Sequence, residues 1–435
     1  MLYRTQKRAG SLFLYSFCIM SLLCSSGMNG LADSSDSTNT IPPAPAASPA
    51  STNNDANNVW TRDELTGDWW GYRKRLEDDG VSVGAVWVGQ GFKNFQGGIS
   101  TSTTAASTFD LNLTLDAGKL LGWPGATFYA DLEDHAGTDP SQALVGDLQK
   151  FTKYNYPPFL QMAELWYQQN LFGNKLRLKI GKVDANTEFS VIDNGLQFLN
   201  SSTQVSPTII VFPTFPDPMP SVNAFFTPND LFYASVGAYY ANREDRFLDF
   251  TGSPQAAQLT QSGAFIIGET GLKWKHLADW QNDGNVRLGF WGDTGTFTTL
   301  NGGREQGTHG IYAIANQTLW KPGSKEDETR GVRMFLEYAQ TPGDISVIDR
   351  HIGGGLAWTG PFAGRPNDII GLSPQYVHLS ESADLPKSYE LAIEGFYQYQ
   401  ITPWASLQPD LQYIRNPGGQ HPDALVGTLQ IVCRF

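Results

Sequence analysis

The chain has 435 residues, with 43 acidic against 30 basic side chains, a formal charge of −13 and 40% hydrophobic content. That balance excludes a basic nucleic-acid footprint, and with Cys18 and Cys24 both near the N-terminus, Cys433 has no intrachain partner for a disulfide. Past the N-terminus no apolar run reaches the ~18 residues of a spanning helix, so a membrane position would demand a closed β-barrel, since unpaired backbone groups are costly in hydrocarbon.

Arg4, Lys7 and Arg8 precede an apolar run from Ser11 to Cys24 and a Gly30-Leu31-Ala32 segment, which reads as a secretory signal over residues 1–32. Residues 33–59, rich in Ser, Thr, Asn, Pro and Ala, read as a disordered linker, and residues 60–435 as the folded domain. Within that domain, residues 66–79 predict a short helix with Trp69, Trp70, Arg73 and Leu76 at helical spacing, ended by Gly80.

From there the pattern turns to period two. Sixteen strands are predicted, near residues 81–91, 108–116, 125–133, 160–169, 175–182, 219–226, 230–239, 263–275, 285–293, 309–318, 331–340, 348–358, 368–378, 388–400, 404–414 and 424–435. Tight turns such as Leu171-Phe-Gly-Asn174 and Thr227-Pro-Asn-Asp230 broadly alternate with long connections at 92–107, 134–159, 183–218 and 241–262. In the clearest strands one face is free of charge, running for example Phe109, Leu111, Leu113, or Ala163, Leu165, Tyr167. The other face carries the charges. Lipid exposure would select this segregation, because a cation at the bilayer midplane costs ~2–4 kcal/mol. The fold class is therefore all-β, a transmembrane antiparallel barrel of about sixteen strands, with a half-buried soluble sandwich as the alternative. Pro409 would remove a ladder donor in a sheet without edges, which predicts a bulge there.

Sixteen strands enclose more space than their own side chains fill, so an aqueous lumen is expected. The loop 183–218, with Phe189, Phe198, Phe212 and Phe215 among prolines, either folds into that lumen or caps it from outside. Inward alternation nominates Asp131, Glu133, Glu164, Trp166, Arg177, Lys179, Arg287, Arg333 and Glu337 as substrate-binding residues. Carboxylates and guanidinium groups bond hydroxyls and aromatic faces cover the apolar side of a pyranose, so the mixture suits sugars. The net acidity of the inward strand positions predicts a mild cation preference. No catalytic residue, metal site or cofactor is expected: the six histidines lack metal-ligand spacing, and no helix follows the Gly353-Gly-Gly355 run, read as a flexible strand end.

Three segments carry a family resemblance. Leu65-Thr-Gly-Asp-Trp-Trp-Gly-Tyr-Arg73, Leu178-Lys-Ile-Gly-Lys-Val-Asp-Ala-Asn186 and Leu407-Gln-Pro-Asp-Leu-Gln-Tyr-Ile-Arg-Asn-Pro-Gly-Gly419 resemble the carbohydrate-selective porins of the OprB family. The resemblance covers residues 65–435. It implies a sixteen-stranded outer-membrane barrel passing monosaccharides by facilitated diffusion, with the short helix at the periplasmic mouth and Pro409 as a family feature. The expected partners are small sugars, outer-membrane lipid and lipopolysaccharide, with no nucleic acid and with a homo-oligomer allowed. A general or weakly cation-biased porin is the alternative function, and a secreted lectin or glycosidase the alternative from another class.

Overall fold

Alternating apolar and polar side chains put one row on each face of every strand, and the sheet they form closes on itself. The structure is a computed structural model that describes residues 58–241, 248–251, 263–276, 282–323 and 328–435. The segment 1–32 expected as a signal and all but the last two residues of the expected linker lie outside the described residues, as does most of 241–262.

The barrel strands are β1 (Val81–Gln96), β2 (Thr103–Asp116), β3 (Ala126–Gly137), β4 (Phe159–Leu171), β5 (Leu176–Val183), β6 (Met219–Phe226), β7 (Phe232–Tyr240) and β8 (Ala264–Trp274). They continue as β9 (Gly284–Thr298), β10 (Arg304–Trp320), β11 (Gly331–Gln340), β12 (Ile348–Thr359), β13 (Ile369–Leu379), β14 (Tyr389–Thr402), β15 (Ala405–Arg415) and β16 (Ala424–Arg434). Each pairs antiparallel with its sequence neighbour, and β1 pairs with β16, for example Gly89 with Ile431, to seal the wall. A sandwich is thereby excluded. All sixteen expected strands are present. A three-residue strand at Asp249–Thr251 adds to β4 at one rim.

The uncharged face points outward. Leu288, Phe290, Ile311, Leu336, Leu372 and Leu429 are all exposed, an apolar belt of the kind an outer-membrane barrel turns to lipid. Ala163 departs from the expected face. A bulge places Asp131 opposite Glu164 but Leu132 opposite Met162, so Ala163 is the extra residue and turns inward with Glu164. Conversely, the bulge expected at Pro409 is absent: register is unchanged on both sides, and the β14–β15 ladder skips two pairs where the proline has no N–H to give.

Two further expectations change. The connection expected at 92–107 shrinks to residues 97–102, because β1 and β2 extend beyond the apolar pattern as a taller hairpin. The Gly353–Gly355 run lies in mid-strand, where a side chain on Gly353 would meet the Gln375 carboxamide at 1.8 Å and one on Gly355 the Phe335 ring at 2.5 Å. These glycines are spaces for inward neighbours.

The 58–80 segment, the end of β16 and the tight turns share one rim. The 66–79 segment there is a 3-10 turn at Trp69–Gly71 followed by helix α1 (Tyr72–Asp79), capped by Gly80 at φ 98°. Trp69 and Trp70 have positive φ and stand outside the helix, so the expected helical spacing does not hold across them. Arg73 is the buried anchor. Its guanidinium donates to the Phe435 carbonyl at 3.0 Å, packs over Trp69 and pairs with Glu64, while Leu65 N–H donates to the Arg434 carbonyl. Short turns at the periplasmic rim and long loops outside the cell are the arrangement of outer-membrane barrels.

Candidate functional site: the lumen constriction

Two loops from the opposite rim fold into the barrel. The β5–β6 loop, residues 184–218, buries Phe189, Ile192, Phe198 and Phe212 against Phe265, Trp291, Phe335 and Phe396 of the inner wall. Of the two placements open to this segment, it takes the inward one. Burying its aromatic side chains is favourable by roughly 25 cal/mol per Å² of apolar surface removed from water. Its backbone then needs hydrogen-bond partners away from bulk water, and wall side chains provide them.

Glu164 accepts the Asp184 N–H at 2.8 Å, Glu269 the Ser190 N–H at 2.9 Å, and Asn316 the Asn194 N–H at 3.0 Å. Glu394 takes two, from Leu199 and Asn200. Tyr233 and Tyr312 hydroxyls donate to Glu269 and fix its orientation. Ion pairs complete the attachment: Arg287 binds Asp193, and Arg177 and Lys179 both bind Glu188. Burial alone would raise the Glu188 pKa, but these two cations override it and hold the carboxyl down at about 2.

The β3–β4 loop, residues 138–158, is the second insert. Leu144, Val145 and Phe151 pack on Phe92, Ile414, Ala424 and Val426. Glu390 accepts the N–H groups of Leu148 and Gln149, each at 2.9 Å, and that of Gly418 from a third loop at 2.6 Å. Beside it, burial and the Glu390 charge push Asp147 up to about 7.

Between the inserts and the β2–β4 wall a cavity of about 650 Å³ remains. The wall supplies Asp110, Tyr129, Asp131, Glu133 and Glu164, and the loops supply Lys150, Lys153, Tyr154, Tyr156, Phe212 and Phe215. Burial lowers the Lys153 amine to about 8 despite the attraction of Asp110. Trp166 stacks against Tyr129 with centroids 4.8 Å apart, and the Lys179 ammonium lies 3.9 Å from the Trp166 ring centre.

The expected site residues are thus divided. Asp131, Glu133 and Glu164 line the cavity, with Trp166 and Lys179 adjoining it. Arg177 and Arg287 hold the β5–β6 loop. Arg333 donates to the Thr329 carbonyl at the tight-turn rim, and Glu337 faces His351 at 3.5 Å; neither lines the cavity. Sequence reasoning missed Glu269, Asp184, Glu188 and Asp193 as anchors. Glu188 follows soon after the basic strand Lys175, Arg177, Lys179 and pairs with its last two, and that complementarity of sign was the available clue.

A closed sixteen-stranded wall narrowed by loops is a channel, and the family is decided by comparison with known sequences. The profile of the carbohydrate-selective porin, OprB family, matches residues 100–435. The chain belongs to this family. Among the porin's relatives, Porin B of Pseudomonas aeruginosa is 24% identical over 421 residues, covering 85% of this chain and 91% of its own. A putative porin, QuiX, of Acinetobacter baylyi is 23% identical, covering 87% and 95%. The high-pH structure of Pseudomonas putida OprB superposes with a TM-score of 0.76 at 22% identity, covering 86% of this porin and 99% of that chain. The porin is therefore an outer-membrane channel, and of the three segments quoted for the resemblance the profile covers the second and third.

Proposed function

We propose that this porin carries out facilitated diffusion of small carbohydrates, monosaccharides such as glucose, through the cavity between its inward loops and the β2–β4 wall. The observation that carries the reading is the lining itself. Asp131, Glu133 and Glu164 offer acceptors for sugar hydroxyls, while Tyr129, Tyr154 and Phe215 offer ring faces for C–H surfaces. Arg177 and Arg287 serve the substrate indirectly, by fixing the loop that shapes the far side of the cavity. Arg333 and Glu337 are wall groups outside the binding region. Lipid and lipopolysaccharide meet the apolar outer belt, and the binding region is built from one chain, so a homo-oligomer would be an array of separate channels.

The test is single-channel current through the purified protein in a planar bilayer while glucose, then an uncharged amino-acid analogue, is titrated. Saturable block by glucose alone is the expected result. Indifference to both would return the porin to the general class.

A further inference from the structure

Within the cavity, four carboxylates stand in two directly opposed register pairs on three adjacent strands. Asp110 on β2 faces Glu133 on β3, and Asp131 on β3 faces Glu164 on β4. Directly opposite side chains lie only ~5 Å apart at Cβ, and like charges placed so are destabilising. None of the four has a basic side chain within 4.0 Å among the described residues, since Arg177 and Lys179 are committed to Glu188 and Lys182 pairs with Asp249. In all, seven carboxylates and two lysines line the cavity. Of those lysines, Lys150 donates to the Tyr156 hydroxyl and lies over its ring.

Hydrogen-bond acceptors there are also left open. Gln149 Oε1 and Asp131 Oδ1 are shielded from bulk solvent without a protein partner, as is the Ser202 hydroxyl, and all three residues line the cavity. Gln149 and Ser202 are 1% and 0% exposed. The opposed pairs thus hold few donors, Gln161 to Glu133 and the Asp184 N–H to Glu164, and among the described residues positive charge acts on them from beyond 4.0 Å, as Lys153 does on Asp110. An ammonium group supplies both, with three N–H donors on a unit charge.

We infer that the constriction favours solutes carrying a protonated amine beside their hydroxyls, amino sugars foremost, over neutral sugars, and that it rejects acidic ones. The inference rests on the sugar-channel reading and names the charge class of its substrate. A passing ammonium offsets the like charge that each register pair brings together. Neutral sugars bring no positive charge to the same place, and a uronate adds a further anion.

The experiment uses the full-length porin in vesicles, with swelling rates measured for glucose, glucosamine and glucuronate at about pH 6.5, below the usual range of an amine of this kind. Glucosamine should enter roughly ten-fold faster than glucose at low salt, with glucuronate slowest, and the advantage should shrink as salt screens the wall. The double variant Asp131→Asn with Glu133→Gln should bring the glucosamine-to-glucose ratio toward one. Equal entry of glucosamine and glucose, or faster entry of glucuronate, overturns the inference while leaving a sugar channel. Exclusion of both glucose and glucosamine from vesicles that still pass potassium chloride overturns the sugar reading and the inference with it. Independently of any variant, a reversal potential under a potassium chloride gradient should show cation preference, and anion preference overturns the proposal.

Discussion

The carboxylate of Glu394 accepts the backbone N–H of Leu199 at 2.6 Å across 195 residues of sequence. One wall side chain thereby fixes the middle of the loop that narrows the channel. Glu394→Ala leaves the Leu199 and Asn200 N–H groups without an acceptor, at ~1–3 kcal/mol for each. The loop should loosen, seen as a larger and noisier single-channel current; an unchanged current would mean that aromatic packing alone holds it.

Glu188 tests the other attachment. Its carboxyl is held down at about 2 by Lys179 and Arg177 against the raising effect of burial. A carboxyl depressed on folding stabilises above its unfolded value and loses that contribution as pH falls through the folded one. The clamp should therefore hold at pH 5 and fail between about pH 4.5 and 2, whereas Glu188→Gln should give the loosened conductance at every pH. A wild-type conductance that shifts above pH 5 contradicts this assignment.

Asp147 has the opposite sign. Burial and Glu390 raise its carboxyl to about 7, so its protonated form is favoured by folding, and stability declines as pH rises from about 4 through 7. Loop 138–158 should exchange its amides faster at pH 8.5 than at pH 6, after correction for intrinsic exchange rates. Asp147→Asn should abolish the difference.

Tyr129 presents its ring to the cavity and leans on Trp166 behind it. Tyr129→Ala removes an aromatic surface worth ~0.5–1.5 kcal/mol beyond its area in comparable contacts, so sugar block should weaken by roughly ten-fold. The ionic current should persist. Equal block by glucose in the variant and the parent would place sugar binding elsewhere in the lumen.

Phe290, 60% exposed on β9, tests the lipid face. Phe290→Arg should cost ~2–4 kcal/mol if the position lies near the midplane. The readout is the fraction of heat-modifiable, folded protein recovered after refolding into vesicles.

The wall was legible in the sequence because period-two alternation repeats sixteen times, and each repeat constrains its neighbours. The Ala163 bulge was not, since a single extra residue leaves both flanking segments correctly alternating and only shifts their phase. Inward charges were legible as inward, but their roles were not. Glu394 and Glu164 look alike from the strand pattern, yet Glu394 accepts two loop N–H groups and does not line the cavity, while Glu164 holds one such group and borders it. That division depends on where residues 138–158 and 184–218 lie, and those segments have no periodicity to read. The Pro409 expectation erred for a simpler reason: a missing donor can be absorbed by skipping two pairs without a change of register.

The seam between β1 and β16 joins the first strand of the barrel to the last, and Phe435 N–H donates to the Ala85 carbonyl while Arg73 holds the Phe435 carbonyl. During synthesis these partners emerge at opposite ends of the process. Without β16 the free edge of β1 has no partner, and without Arg434 and Phe435 the Leu65 N–H and Arg73 lose the two carbonyls that tie the α1 segment to the seam. The presence of β16 is thus a physical precondition for a watertight wall, and the rim where α1 sits is where its loss would first be felt.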